Sequence, residues 1–240
     1  MRKLTSIIAA VSLLTSCMMG KTEESTMTVP KIDIDINDPA ALDKTFASLE
    51  SNPIDCCNWK EAYPYAPSAS FKIFHTGGHM VIRFYVEEKY TGAIATVNNG
   101  RVWEDSCVEF FISPGRNMQY YNFETNCIGT MLVAHRDMPG TDPWESSDEV
   151  QASIIRIPSL GRAAIDPQIE GDNKWTMTLI VPATALYADH FDSWSGLDCN
   201  MNFYKCGDHM KEAHFLSWAP IEWEKPAFHK PEFFREVIFE

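Results

Sequence analysis

An all-β domain, folded as a sandwich or barrel, is what this sequence predicts, and three observations carry that expectation. Short apolar or alternating runs recur along most of the chain, among them SFKIF, HMVIRFYVEE and MQYYNFETN. Gly, Pro, Asn and Asp punctuate them, as in HTGG, VNNG, SPGRN and EGDN. No long stretch keeps a 3.6-residue apolar period. About eleven short strands over roughly 210 residues is the spacing of a β-sandwich.

Taken in chain order, the first element is a targeting segment. Arg2 and Lys3 precede a mostly apolar run, Leu4–Leu14, that is too short to span a bilayer. The following LTSC, Leu14–Cys17, resembles the lipobox of bacterial lipoproteins, in which the Cys is acylated and becomes the first residue. Residues 1–16 are therefore expected to be a lipoprotein signal peptide and Cys17 the lipidated residue. Residues 17–30 read as a polar tether, and residues 31–240 as one β-sandwich domain. Such a protein is exported and held at the bacterial cell envelope, on the outer membrane, touching lipid only through its anchor.

Within the domain, KIDIDI at Lys31–Ile36 alternates like a strand, and ALDKTFASLE reads as a short helix. HTGG joins SFKIF and HMVIRFYVEE as a hairpin. VWEDSCVEFFIS, MQYYNFETN, IGTMLVAH, VQASIIRI, KWTMTLIVP, LDCNMNFYKC, HFLSWAP and FREVIFE follow as strands. PATALYA is a second short helix, with Pro182 near its N-terminal position.

Composition narrows the ligand. The chain has 20 basic and 33 acidic residues, and loss of Arg2 and Lys3 leaves 18 against 33, a net charge of −15. That sign excludes nucleic acid and anionic lipid as favoured partners. Cys56, Cys57, Cys107, Cys127, Cys199 and Cys206 contain no CxxC spacing for zinc or redox chemistry. His75-x-x-x-His79 is interrupted by Thr-Gly-Gly, which makes it a turn rather than a helical zinc pair.

Side-chain alternation assigns faces. Val108, Phe110 and Ile112 point to the core, leaving Trp103, Asp105, Cys107 and Glu109 opposite. Tyr121 and Phe123 point inward, leaving Asn122, Glu124 and Asn126. Cys199, Met201 and Phe203 point inward, leaving Asn200, Asn202 and Tyr204. Three strands thus share a face rich in Asn, Glu and aromatic groups. A sugar ring uses both kinds of group, its C–H faces stacking on an aromatic plane and its hydroxyls pairing with amides and carboxylates.

VWEDSCVEFFISPG, followed by Tyr-x-x-Phe-x-x-Asn and Gly129, resembles the central signature of carbohydrate-binding module family 9. FHKPEFFREVIF resembles that family's closing motif, and together the two blocks cover the chain from about Trp59 to Glu240. The resemblance implies a jelly-roll-like β-sandwich of antiparallel strands that binds the end of a glucan- or xylan-type oligosaccharide without turning it over. It implies that Trp103 and Phe228 clamp the sugar and that Glu109, Glu124, Asn126 and Asn202 read its hydroxyls, with no catalytic residue. It also implies structural calcium, and partnership with glycan-degrading enzymes on separate polypeptides. Three positions depart from the pattern: Phe228 replaces a Trp, Glu124 a basic residue, and Arg235 a Gly.

Two rival readings stand beside this one. Glu109 and Glu124 on neighbouring strands have the residue types of a glycoside hydrolase pair. A haem-binding sandwich of the DOMON type would instead use axial Met and His. Trp59, Trp175 and Trp218 are expected in the core and Trp144 at a rim, while Asp137, Asp142, Glu145 and Asp148 are the acids available to calcium.

Overall fold

The computed structural model describes residues 26–240. The signal peptide, Cys17 and most of the tether expected from the sequence lie outside the described residues. In chain order the strands are β1 (Met27–Val29), β2 (Asn52–Pro53), β3 (Ser68–His75), β4 (His79–Ala93), β5 (Cys107–Ser113), β6 (Tyr120–Asn126) and β7 (Met131–Arg136). They continue with β8 (Trp144–Glu145), β9 (Ile155–Pro158), β10 (Ile165–Pro182), β11 (Asp198–Gly207), β12 (His214–Ser217) and β13 (Arg235–Phe239). Among the described residues, two α-helices, α1 (Pro39–Ser48) and α2 (Asp148–Ser153), and three 3-10 turns complete the regular structure.

The strands form an eight-stranded sheet, β1-β13-β11-β5-β6-β7-β8 with β12 beside β11, and a five-stranded sheet, β2-β3-β4-β10-β9. Every pairing is antiparallel except β1 with β13, which is parallel. The β-sandwich expected from the alternation is the fold. Its first strand, β1, begins at Met27, inside the segment read as tether.

The core lies between the sheets. Val108, Phe110, Ile112, Phe123, Met201 and Phe203 meet Phe71, Phe84, Trp175, Met177 and Leu179 there, all essentially buried. Phe71 and Phe203 stack across the interface with ring centroids 3.8 Å apart. Burial of each such side chain stabilises by about 1.5–3 kcal/mol. One ion pair also crosses this interface: Lys205 of β11 reaches Glu88 of β4 at 2.9 Å, with both side chains fully buried.

Four local expectations are corrected. KIDIDI is not a ladder strand: Lys31 alone bridges to His75, while Ile32, Ile34 and Ile36 pack beside Leu42, Phe46 and Phe74. Asp35 and Asp38 take the local backbone N–H groups of Asn37 and Ala40, and such side-chain turns compete with sheet pairing. VQASIIRI is half helix, because Ser147 caps α2 and Asp148 and Glu149 fill its first turn. PATALYA makes only a single 3-10 turn at Ala183–Ala185. Val102–Glu104 also forms a 3-10 turn, so the central strand begins at Cys107 rather than at Val102.

The outer face of the larger sheet is covered rather than solvated. Trp59, Phe111, Tyr120, Tyr204, Ile221 and Phe234 form a second apolar cluster on it. Trp59 is pinned there by its indole N–H, which donates to the Trp223 carbonyl at 2.8 Å.

Candidate functional site

Sheet register builds the site. On the outer face of β11, β5, β6 and β7, opposed residues form the row Tyr204–Glu109–Glu124–Leu132. Beside it runs the row Cys206–Cys107–Asn126, and on the other flank Asn202–Phe111–Asn122–Ala134. Directly opposed side chains in an antiparallel pair start about 4.5–5.5 Å apart, so Glu109 and Glu124 are forced to be neighbours.

The middle row floors a cavity of about 370 Å³. Glu109, Phe111, Glu124, Leu132 and Cys206 come from the strands, and Arg136 from the end of β7. Trp103 rises from the 3-10 turn, Asp208 lies just past β11, and Pro226–His229 closes the far wall. Phe228 stacks on Tyr204 with centroids 4.2 Å apart and planes 14° apart, which fixes its ring. Trp103 is half-buried and carries the Arg101 guanidinium 5.8 Å from its ring.

Electrostatics at the floor are dominated by burial. Burial, with Cys206 and Glu124 nearby, pushes the Glu109 carboxyl well above the usual carboxylate range. Glu124 is raised as well, again chiefly by burial, although an N–H from Asn122 at 3.0 Å works against the shift. Asp208 is pushed up to about 6 by burial. On the wall, His229 is held down to about 3 by burial and then by Arg136, so its imidazole is neutral. Its Nδ1 lies 3.0 Å from the Tyr120 hydroxyl. One Glu124 carboxylate oxygen, Oε2, is buried without a hydrogen-bond partner. Leaving a buried acceptor unpaired costs about 1–3 kcal/mol, so the floor is primed to accept a donor from a ligand.

Of the six residues singled out from the sequence, the cavity gathers Trp103, Glu109, Glu124 and Phe228. Asn126 and Asn202 lie on the same face but outside the cavity, with their amides committed elsewhere. Asn126 donates to Ala95 O and to Asp105 at 2.9 and 2.8 Å, and accepts from Thr130 N at 2.9 Å. Asn202 accepts from the N–H groups of Phe203 and Ala219 and donates to Ala219 O. Both pin loops to the sheet. Alternation placed them on the correct face, but loop closure over the sheet took their hydrogen bonds.

The acids around Trp103 divide the same way. Glu104 pairs with Arg101 at 2.6 Å. Asp105 accepts from Ile94 N, Ala95 N and the Asn126 amide at 2.9, 3.0 and 2.8 Å, latching the loop after β4 to the start of β5. Only Glu109 opens into the cavity. Asp105→Ala leaves these donors without their acceptor, so unfolding free energy should fall by about 2–3 kcal/mol; denaturant titration measures it. A loss below about 0.5 kcal/mol would show that water replaces the latch.

Sequence reasoning passed over Arg136, Asp208 and Phe215, which also line the cavity, and took His229 only as a polar loop or rim residue. Alternation in IGTMLVAH, extended by one residue, would have placed Arg136 on the outer face with Leu132. Asp208 and His229 lie in irregular segments, where no periodicity points. The cavity walls hold one histidine and no methionine, so the His/Met pair of a haem site is not assembled there. Among the described residues, Asp137, Asp142, Glu145 and Asp148 form no three-ligand group for an ion. Trp144 is 58% exposed on β8, next to the Glu145 that lines the cavity, while Trp59 and Trp175 are buried and Trp218 packs partly buried against the core.

Comparison with known proteins gives a consistent picture. The model of carbohydrate-binding family 9 matches residues 37–239. A crystal structure of a candidate carbohydrate-binding protein from Bacteroides uniformis ATCC 8492 is similar with 38% identity and a TM-score of 0.83, covering 90% of this chain and 99% of its own. A family 9 carbohydrate-binding module from Caldicellulosiruptor kristjanssonii, solved with glucose, shares the fold at 12% identity and a TM-score of 0.53, over 90% of this chain and 96% of its own. The same organism's module with cellotriose aligns at 9% identity and a TM-score of 0.53, over 90% and 94%. No curated protein matches the chain.

Proposed function

Since the chain belongs to carbohydrate-binding family 9, we propose that it binds the end of a neutral oligosaccharide in the cavity above Glu109 and Glu124 and releases it unchanged. The observation that carries this reading is the meeting, in one cavity, of a carboxylate floor with an unpartnered oxygen and of aromatic walls from Trp103 and Phe228. Hydroxyl groups would donate to Glu109 and Glu124, and the C–H faces of the ring would lie on the aromatic planes. A volume of about 370 Å³ sits at the small end of the range for small-molecule sites and suits a terminal sugar rather than the middle of a long chain.

Recognition is favoured over hydrolysis by two features. A hydrolytic pair flanks the scissile bond from two sides, whereas Glu109 and Glu124 project from one sheet face in one row. Acid and nucleophile also need environments that drive their pKa values apart, and here burial raises both. The lipobox-like LTSC ending at Cys17 extends the proposal: the domain would be tethered to the envelope, presenting glycan ends to enzymes on separate polypeptides.

Titration calorimetry of the protein against glucan- and xylan-type mono- and oligosaccharides, with product analysis of each mixture, tests the reading. Glucose and cellotriose come first, since the two Caldicellulosiruptor modules hold them. Saturable binding with intact sugars is expected. Cleaved sugar would make Glu109 and Glu124 a catalytic pair, and silence across the panel would sink the binding site as drawn.

A further inference from the structure

The cavity floor carries a second arrangement, which shares Glu109 with the proposed sugar site and adds two thiols to it. Cys107 and Glu109 are two residues apart on β5 and so share a face, and Cys206 of β11 lies directly opposite Cys107. One ligand atom from each of these buried residues, two thiol sulfurs and a carboxylate oxygen, falls within 4.8 Å of the other two. The Cys206 thiol already donates to Glu109 Oε1 at 3.0 Å. Tetrahedral zinc sets thiolate and carboxylate ligands about 3.5–3.8 Å apart, within reach of small side-chain adjustments here.

We propose that Cys107, Cys206 and Glu109 form a binding site for a thiophilic divalent cation of the zinc class. Two thiolates and a carboxylate match the preference of zinc for sulfur with one harder ligand, and disfavour calcium and magnesium, which take oxygen alone. Cys206 and Glu109 line the cavity, which gives the ion a route in and leaves its fourth position facing the ligand space. The surroundings favour positive charge: the partnerless Glu124 oxygen is buried on the next strand, and Asp208 lies across the cavity. On binding, the two thiols, and the Glu109 carboxyl where it is protonated, give their protons to solvent and a lone pair each to the metal, with no change of oxidation state. The three ligands come from strands nearly 100 residues apart in sequence, so no spacing motif announces them.

The test is direct metal binding by the whole protein, purified reduced and metal-free. Titration with Zn²⁺ should reach one equivalent per chain, and Co²⁺ should give a near-ultraviolet thiolate-to-cobalt charge-transfer band. Cys206→Ser should abolish that band and weaken Zn²⁺ binding by at least about 100-fold, the scale reached even when an outer-shell partner is lost. Cys199→Ser, in the core between the sheets, should leave both unchanged. Circular dichroism confirms that each variant is folded, and Cys107→Ser and Glu109→Gln serve if Cys206→Ser is not. Failure to take up Zn²⁺, uptake unaltered in a folded Cys206→Ser protein, or a Co²⁺ complex with no thiolate band would each overturn the site. Sugar titration of the metal-free protein is read separately, so loss of the metal site leaves the carbohydrate reading standing, and the converse holds.

Discussion

Glu88→Ala is expected to lower the unfolding free energy by about 3–5 kcal/mol, because it strands the Lys205 ammonium inside the sandwich. Glu88 lies 2.9 Å from Lys205 with neither side chain exposed. It also accepts from the Trp175 indole at 2.7 Å and from Thr91 at 3.0 Å. Lys205 in turn contacts Cys206 O and His214 Nε2, each at 2.8 Å. Burial alone would raise the Glu88 pKa, yet Lys205 and the neighbouring donors outweigh it and hold the carboxyl below its ordinary range. Chemical denaturation followed by Trp fluorescence measures the loss. The double change Glu88→Leu with Lys205→Met should recover most of the stability, since it removes both charges. A single-variant loss under about 1 kcal/mol would mean that water reaches the pair.

Trp103→Ala is expected to weaken sugar binding by about 30–100-fold, or 2–3 kcal/mol, through loss of the stacking plane and the apolar area it covers. The stability cost should be near 1 kcal/mol, because the ring is half-buried and its turn is held by backbone hydrogen bonds from Asp208 and His209. Calorimetry and thermal unfolding on the same preparation separate the two effects. Unchanged affinity would move the binding surface away from this wall. A large drop in melting temperature would instead make the indole a structural prop for the cavity.

Which parts of the molecule were legible in sequence follows from where periodicity operates. Val108, Phe110 and Ile112 face the core, as do Tyr121 with Phe123 and Met201 with Phe203, because a period of two leaves a strand no other choice. Glu109 and Glu124 follow from the same rule. Alternation failed at Trp103, in a 3-10 turn before the strand, and at Asp105, which ends that turn, though Trp103 still reaches the cavity. It also could not show which polar groups on that face stay open: loops take the amides of Asn126 and Asn202, while Glu124 lines the cavity. That depends on contacts between residues tens to more than a hundred positions apart, such as Cys56 with Ser217 and Trp59 with Trp223, which no local pattern encodes.

The division of the cavity between strand-borne floor and loop-borne walls bears on how such a binder diversifies. Glu109 and Glu124 are locked into neighbouring strands by register, so altering either disturbs a sheet. Trp103 and Pro226–His229 sit on irregular segments, where insertions and exchanges are tolerated. Exchanges at the rims can therefore reshape the mouth of the cavity while Glu109 and Glu124 stay in register, so the walls are free to vary where the floor is not.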